Sequence, residues 1–505
     1  MTATSRCRAA LRLGALLAPV LLALPGRVPA AECPNVLFIA VDDLKPELGC
    51  YGRTHVHSPN IDRLAASGFR FERAYCQVAV CGATRTSLLS GLRPDSTGVY
   101  GNTIHFRKVV PEVVTLPQHF KRRGYHVEGM GKIFHHDDPP SWSVPLAWPE
   151  TPHLTWRRPE NAELVRRKRE DFERLRAEYH ARGEKVPWAI ERRGTRGPAY
   201  EAGDVPDNAY FDGELCEMAL AALRRCAERE QPFFLAVGFI KPHLPFVAPK
   251  RYWDLYDPAE IELADNPLKP KGAPDLAMHN WGELRTYHGI PKSGSLDDEL
   301  ARTLVHGYYA SVSYTDAQVG RVLDELERLE LRERTIVILW GDHGWHLGDH
   351  GLWCKHSNFE SATHAPLIVR VPGMTDAGGS SRALVEFLDI YPSLCELAGL
   401  PLPEHLAGRS FAPLLKDPDA AWKPAALSQY PRGPAMGRSM RTDRYRLTVW
   451  QDRKDREKVH AVELYDHQTD SAENVNLAAD PAYAERVKEL LALFDKQWPR
   501  TRPRP

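Results

Sequence analysis

The sequence lacks an excess of charge of either sign. Among its 505 residues, Lys and Arg together number 66, and so do Asp and Glu. General nucleic-acid binders and polybasic membrane binders need a surplus of positive charge, so this balance argues against both classes. An anionic ligand must therefore be held by a few placed cationic side chains.

Long apolar runs are also scarce. One lies at residues 13–24 after an arginine-containing start, and it is too short for a typical membrane-spanning helix. Small residues at 28–30 supply a cleavage site, so we predict a signal peptide over 1–30. The alternative is an uncleaved anchor. A signal peptide implies a secreted or periplasmic protein with no membrane span in the mature chain.

Strand-like and helical segments alternate along most of the remaining sequence. The strand-like segments, which include near-continuous apolar runs typical of buried parallel strands, lie at 35–41, 125–130, 233–239 and 335–340. The helical patterns lie at 59–68, 83–89, 115–124 and 300–329. This alternation predicts an α/β fold with a mostly parallel central sheet flanked by helices.

The alternation breaks at residues 139–205. This segment is rich in proline and charged residues, with a basic and acidic helical pattern around 160–182. Such a composition favours a solvated surface insertion, because it offers few apolar side chains to a core.

The pattern changes again in the C-terminal part. Residues 438–450 and 459–466 have the composition of antiparallel strands, and 481–498 closes the chain as an amphipathic helix. We predict an N-terminal domain over 31–420 and a smaller C-terminal α+β subdomain over 421–505.

Acidic residues follow the first and the last of the predicted buried strands. Asp42 and Asp43 follow the first, and Asp342 with His343 follows the last. Ligands in an open α/β sheet bind beyond the carboxyl ends of the strands, so these two pairs could converge on one cation. Oxygen-rich ligation suits calcium or magnesium. Either pair alone is better explained by a turn or a helix cap, so the prediction of a cation site depends on their combination with the motifs below.

The segment Cys81-Gly82-Ala83-Thr84-Arg85 places a cysteine just before a predicted helix. The N-terminus of a helix favours anions and lowers the pKa of a thiol. Arg85 follows one turn later, where its side chain can point at the same site. A buried structural cysteine is the alternative interpretation.

This segment, continued by Ser90-Gly91, resembles the signature of the type I sulfatases, which is Cys-x-Pro/Ala-x-Arg followed by Ser/Thr-Gly. Ala83 stands where proline is commonest, and Thr84 where serine is common. The resemblance is closest to the iduronate-2-sulfatase branch and covers most of the chain from Pro34 onward. The resemblance extends to further motifs, which occur in the same order as in the family. A single motif match would not establish the resemblance. These motifs are Pro34-Asn35-Val36-Leu37-Phe38, Val41-Asp42-Asp43-Leu44, Gly131-Lys132-Ile133-Phe134-His135, Lys241-Pro242-His243, Gly341-Asp342-His343-Gly344-Trp345, Lys355-His356-Ser357-Asn358-Phe359, Thr363-His364 and Glu463-Leu464-Tyr465-Asp466.

The resemblance implies an alkaline-phosphatase-like fold, a catalytic domain over 31–420 and hydrolysis of a sulfate ester. It implies that a maturation enzyme oxidises Cys81 to Cα-formylglycine. One calcium ion would be bound by Asp42, Asp43, Asp342 and His343, with the modified Cys81 as a further ligand.

The resemblance also assigns roles to the cationic residues. Arg85 and Lys132 would orient the hydrated aldehyde and offset its charge. His135 would assist as a base when sulfate is released. His243 and Lys355 would hold the sulfate group, and one of them would protonate the leaving oxygen.

The implied substrate is a sulfated saccharide, such as a 2-O-sulfated uronate at a chain end. Two alternatives stay open at this point. One is a hydrolase of phosphate or phosphonate esters on the same fold, and the other is a non-catalytic carbohydrate-binding protein in which Cys81 is never converted. With Cys7 in the signal peptide and Cys81 modified, seven of the nine cysteines remain, an odd number that excludes a complete disulfide framework.

Overall fold

A computed structural model of the chain describes residues 33–374 and 376–498. The predicted signal peptide over 1–30 lies outside these residues. Within them, no helix is both long enough and apolar enough to span a membrane. None of the cysteines in the described ranges forms a disulfide.

The strands and helices follow the alternation that the sequence predicts. The strands are β1 (Asn35–Val41), β2 (Phe69–Phe71), β3 (Ala74–Tyr75), β4 (His126–Gly131), β5 (Tyr200–Gly203), β6 (Phe233–Phe239), β7 (Phe246–Pro249), β8 (Thr335–Gly341), β9 (His346–Leu347), β10 (Trp353–Cys354), β11 (Leu367–Arg370), β12 (Gly379–Ser381), β13 (Val385–Glu386), β14 (Ala426–Arg432), β15 (Ala435–Arg441), β16 (Tyr445–Asp452) and β17 (Val459–Asp466). The helices are α1 (Pro59–Ala66), α2 (Cys81–Ser90), α3 (Pro94–Thr97), α4 (Leu116–Arg122), α5 (Pro159–Ala181), α6 (Trp188–Thr195), α7 (Phe211–Ala227), α8 (Lys250–Trp253), α9 (Asp298–Arg328), α10 (Glu360–Thr363), α11 (Ile390–Leu397) and α12 (Ala484–Gln497).

A seven-stranded sheet forms the centre of the molecule, in the order β12-β2-β11-β8-β1-β6-β4. Strands β8, β1, β6 and β4 run parallel to one another, and β11 is antiparallel to β8 and β2. The sheet is therefore mostly parallel, as predicted. Because parallel strands end at the same edge, the residues after these four strands meet at one side of the sheet.

Both faces of the sheet are covered by helices. Alternate residues of β1 face opposite sides, so Leu37 and Ile39 join a core that includes α7 and α9, while Val36 and Phe38 join a core that includes α2, α4 and α11. Every residue of β1 is buried. This two-sided burial explains why the strand is a continuous apolar run and has no polar alternation.

A four-stranded antiparallel sheet, in the order β14-β15-β16-β17, makes up much of the C-terminal part. Helix α12 packs on it through Leu490 and Phe494. The prediction of one strand over 438–450 is wrong in detail, because a turn after β15 divides that segment between β15 and β16. Strand β14 was not predicted. The division of the chain at residue 420 stays a prediction.

The segment 139–205 is a surface insertion only in its outer part. Helix α5 has only Val165 and Phe172 buried. The inner end differs, since Arg196 is 3% exposed and β5 pairs in parallel with β7. The insertion therefore reaches into the body of the molecule, next to the loop that follows β6.

Candidate active site

The strand register brings the two acidic pairs together. Val41 at the end of β1 pairs with Gly341 at the end of β8, so Asp42 and Asp342 continue from paired positions. The backbone N–H of Asp342 donates to the Val41 carbonyl at 3.2 Å, and the N–H of Asp43 donates to Oδ1 of Asp342 at 3.0 Å. Asp42, Asp43 and Asp342 are all fully buried.

Asp43 adopts a left-handed backbone conformation, with φ of 60°. This conformation is unusual for a residue other than glycine and is often held by its surroundings at functional sites. The Tyr308 hydroxyl of α9 donates to the Asp43 carbonyl at 2.8 Å, which helps to hold the turn. The strained turn aims the Asp43 carboxylate toward the N-terminus of α2.

Cys81 is the first residue of α2, where the sequence placed it just ahead of the helix. Its Sγ lies 3.3 Å from Nε2 of His343 and 3.8 Å from Oδ1 of Asp43. The next residue, Gly82, donates its N–H to Oδ1 of Asn102 at 2.8 Å. The structure therefore places the candidate cysteine against the candidate metal ligands.

The Cys81 thiol is not an activated one. Burial raises its pKa well above the usual value for a thiol, and the negative charge of Asp42 adds to the rise while Lys132 and Lys355 oppose it. The expectation of a lowered thiol pKa at the helix N-terminus is wrong, because burial and the neighbouring carboxylate of Asp42 raise the pKa. An unmodified Cys81 therefore stays protonated at neutral pH.

Arg85 and Lys132 form a cationic layer beneath the carboxylates. Arg85 is fully buried and donates from Nε to Oδ2 of Asp342 at 2.9 Å and from Nη2 to Oδ1 of Asp42 at 3.1 Å. Lys132, which follows β4, donates to the other oxygen of Asp42. Burial alone would raise the pKa of Asp42, but Lys132 and Arg85 hold it well below its ordinary value. Asp42 is therefore a carboxylate fixed in place by two cations.

His243 and Lys355 both lie beside Asp43. Nζ of Lys355 lies 3.1 and 3.0 Å from the two carboxylate oxygens of Asp43. Nε2 of His243 lies 3.8 Å from Oδ2 of the same residue. The loop after β6 that carries His243 is shaped by Lys241, whose Nζ donates to the carbonyls of His243 and Pro245 at 2.6 Å. Lys241 thus supports the loop, and His243 points into the site.

His135 is less tightly integrated than the other candidates. Within the described residues, its Nδ1 is buried and has no hydrogen-bond partner. Burial lowers the pKa of His135 to about 3, and the positive charge of Lys132 adds to this effect. The imidazole is therefore neutral at physiological pH.

Sequence analysis missed one charged member of the site, Glu283. Its Oε2 lies 2.9 Å from Nζ of Lys355, and its Oε1 lies 3.2 Å from Nε2 of His243. Glu283 stands in a loop of weak secondary-structure pattern and in none of the recognised motifs. Only its three-dimensional contacts with two recognised residues distinguish it from a surface carboxylate.

The donor atoms at the strand ends suit a hard divalent cation. Asp42, Asp43, Cys81 and His243 each offer one donor atom, and these atoms lie within 4.8 Å of one another. Cys81, Asp342 and His343 form a second, overlapping set with the same spacing. Three of the six donors are carboxylate oxygens, which calcium and magnesium prefer.

The electrostatics of Asp43 agree with a cation site. Burial raises the pKa of Asp43 to about 7; Lys355 opposes the rise and the adjacent Asp42 adds to it. A further cation beside Asp43 would stabilise its ionised form. The residues present therefore fit a divalent metal ion on both donor chemistry and charge.

Comparison with known proteins identifies the class. The sequence model of the Sulfatase family matches residues 34–400, and that of the C-terminal part of N-sulphoglucosamine sulphohydrolase matches residues 348–498. The chain belongs to the sulfatase family and is a sulfatase. Iduronate 2-sulfatase of Homo sapiens is 34% identical over 563 aligned residues, covering 94% of this chain and 96% of that protein. The predicted resemblance is confirmed.

Two solved structures share the fold. A protein in complex with its substrate D-glucosamine-2-N,6-O-disulfate superposes with a TM-score of 0.71 at 21% identity, covering 92% of this chain and 97% of that one. The phosphonate monoester hydrolase of Agrobacterium radiobacter superposes with a TM-score of 0.70 at 22% identity, covering 92% of this chain and 96% of that one. The fold is the predicted alkaline-phosphatase-like α/β fold.

Proposed function

We propose that this sulfatase removes sulfate from a sulfated saccharide through a formylglycine formed at Cys81, with one calcium ion held by Asp42, Asp43, Asp342 and His343. One observation carries the proposal. Sγ of Cys81 lies within 4 Å of His343 and Asp43, at the point where three buried carboxylates converge. A nucleophile formed there would stand beside the metal ion and the cationic side chains together.

Cys81 itself is a poor nucleophile for this reaction. Its raised pKa keeps it a thiol, and thiol attack on sulfur would leave a stable S-sulfate with no internal exit. A hydrated aldehyde carries two hydroxyl groups on one carbon, one to attack sulfur and one whose proton loss releases sulfate. The buried thiol therefore supports conversion to formylglycine as the source of activity.

When bound, calcium would supply a Lewis acid that neutralises charge on the sulfate group. Arg85 and Lys132 donate to the Asp42 carboxylate and hold it in its ligand position. His243 and Lys355 offer N–H donors to the sulfate oxygens, and one of the two protonates the leaving oxygen. His135, neutral at working pH, accepts a proton as sulfate leaves. These roles require the cations to be fixed before substrate arrives, and the observed ion pairs support this.

The proposed substrate is a 2-O-sulfated uronate or a related sulfated sugar. The similarity to iduronate 2-sulfatase over nearly the whole chain supports a carbohydrate sulfate ester. The neighbour solved with a sulfated glucosamine shares the fold and does not define the substrate. We propose that the protein is exported through the signal peptide over 1–30 and matured by a formylglycine-generating enzyme.

A panel of defined sulfated saccharides tests the substrate class. Matured protein is expected to release sulfate from at least one 2-O-sulfated uronate, with far lower rates on matched phosphate and phosphonate esters. The rates on phosphonate esters must be measured because the fold is shared with a phosphonate monoester hydrolase. Faster turnover of the phosphonate than of every sulfated saccharide would favour the alternative function.

A further inference from the structure

Glu283 bridges the two side chains that we assign to the sulfate group. One carboxylate oxygen lies 3.2 Å from Nε2 of His243, and the other lies 2.9 Å from Nζ of Lys355. The Glu283 side chain is 15% exposed, and that of Lys355 is 2% exposed. Both contacts are thus largely shielded from water, where an ion pair is stronger than at the surface.

The two contacts complete the fixation of His243 and Lys355. The Leu244 carbonyl oxygen lies 2.6 Å from Nδ1 of His243, so Glu283 provides the contact at the second ring nitrogen. Lys355 is paired with Asp43 on one side and Glu283 on the other, and its Nζ lies 4.9 Å from the centre of the Trp345 ring. Each side chain is therefore held in one orientation.

Glu283 is itself anchored by the inner end of the 139–205 insertion. Its backbone carbonyl accepts from the Thr286 hydroxyl at 2.6 Å and from Nη1 of Arg196 at 3.3 Å. Arg196 is buried and donates to the same Thr286 hydroxyl at 2.6 Å. Its guanidinium carbon lies 4.5 Å from the centre of the Tyr287 ring. The segment that carries Glu283 is therefore fixed from outside the central sheet.

A carboxylate at this point has an electrostatic cost that a purely structural residue would not explain. It lies beside the donors for an anionic sulfate group, so it repels the substrate. Without it, however, Lys355 would lose one of its two carboxylate partners, and Nε2 of His243 would lose its contact at 3.2 Å. Burial alone would raise the pKa of Glu283, yet Lys355 and His243 hold it well below the ordinary value, so the carboxylate stays ionised.

We propose that Glu283 is a positioning residue that acts through His243 and Lys355, holding both donors at the separation that sulfate transfer needs. The proposal rests on the sulfatase mechanism given above. It also assigns a role to the insertion, whose Arg196 fixes the backbone of Glu283.

Glu283→Gln tests the proposal with little change of shape. The amide oxygen can still accept from Lys355, but the negative charge that faces Nε2 of His243 is removed and an N–H group takes the place of a carboxylate oxygen. We expect kcat to fall about 10- to 100-fold, as for the loss of other partners that orient a functional side chain. KM is expected to stay level or to fall, because a negative charge near the sulfate is removed. Glu262→Gln, the same change at an exposed residue, provides the matched control and should behave as wild type.

A double-mutant cycle separates positioning from a general structural role. In a His243→Ala background, Glu283→Gln should lower kcat less than twofold further, since His243 is gone and the amide oxygen of the variant still accepts from Lys355, the other partner. Should Glu283→Gln fail to fold, Thr286→Ala loosens the same carbonyl anchor and is expected to lower kcat in the same direction.

Two results would overturn the proposal. One is a wild-type kcat in folded Glu283→Gln protein, and the other is a loss of kcat that is fully additive with His243→Ala. Either result would leave the proposed function untouched, because that function fails instead if matured wild-type protein shows no aldehyde at Cys81 and no sulfate release.

Discussion

Nζ of Lys355 lies 3.0 Å from Oδ2 of Asp43, although 312 positions separate the two residues in the sequence. The lysine follows β10, and the aspartate lies two residues beyond the end of β1. The contact joins a residue proposed to hold sulfate to one proposed to hold calcium. The proposed metal site and the proposed sulfate site therefore share one buried network of charges.

Removal of metal ligands tests the calcium proposal. Asp43→Asn and Asp342→Asn keep the side-chain volume but remove a negative charge from the donor set, so bound calcium and turnover should both be lost. Elemental analysis of purified protein measures the metal, and circular dichroism checks the fold. Asp275→Asn is the control, since this carboxylate is exposed and pairs with Lys269 at the surface. If either ligand variant kept full activity without bound calcium, the proposed calcium site would be contradicted.

Removal of either sulfate-holding donor should slow turnover severely. Loss of one donor aimed at developing charge typically costs about 10²- to 10³-fold in kcat, and we expect this for His243→Ala and for Lys355→Ala. Steady-state kinetics on the best saccharide of the panel measures the effect. Lys292→Ala, at an exposed position, is the matched control for loss of a lysine. Near-normal kinetics in both site variants would reject their assigned roles.

Much of this site could be predicted from sequence because its residues directly follow strands. Asp42 and Asp342 stand after apolar runs that strand propensity identifies, and the register of β1 and β8 then brings them together. Local sequence carries the strand propensity. The pairing of β1 with β8 is supplied by the fold. Lys132 and His243, which follow β4 and β6, were assigned from the resemblance to the sulfatase motifs.

The rest depends on contacts that no local pattern encodes. Glu283 enters the site from a loop, and its partners lie far away in sequence. The raised pKa of the Cys81 thiol follows from burial among carboxylates, which a helix N-terminus alone does not reveal. The turn that separates β15 from β16 was missed because the whole segment has strand-like composition.

The acidic limb of the pH–rate profile should not belong to His135. Burial and Lys132 lower the pKa of His135 to about 3, so above that value the ring is neutral and already able to act as a base. His135→Asn is expected to lower kcat while leaving the acidic limb between pH 5 and 8 at the same position. Profiles of kcat for wild type and variant provide the measurement. A limb that shifts or disappears in the variant would show that His135 titrates in this range.

Gly238 connects the packing of the sheet to the cationic layer. A Cβ added at this position would overlap the backbone carbonyl of Lys132, which also accepts from Arg85. Gly238→Ala should therefore displace Lys132 and destabilise the protein by about 1–3 kcal/mol, the usual cost of overpacking. Thermal unfolding measures the stability, and kcat reports the displacement. At Gly101 an added Cβ meets no atom within 4 Å, so Gly101→Ala controls for the loss of glycine. Equal stability of the two variants would rule out the clash.

The central prediction concerns the chemical state of Cys81. Protein matured with a competent formylglycine-generating system should carry an aldehyde at this position. Peptide mass spectrometry should show sulfur replaced by oxygen at Cys81 and an intact thiol at Cys76. Cys76 is an internal control, because it is equally buried but has Val80 four residues later where the signature needs arginine. A hydrazide probe should label the digested peptide only when the aldehyde is present.

Two substitutions of Cys81 then separate the halves of the reaction. Cys81→Ala should remove both the label and turnover, while the other metal ligands keep calcium bound. Cys81→Ser supplies one hydroxyl group in place of two, so it can accept sulfate but lacks the second hydroxyl needed to expel it. We expect it to stall as a sulfated serine, detectable as a mass increase on that peptide after incubation with substrate. Fully active protein with an unmodified Cys81 thiol would overturn the mechanism, because the mechanism needs the second hydroxyl group of the hydrated aldehyde to release sulfate.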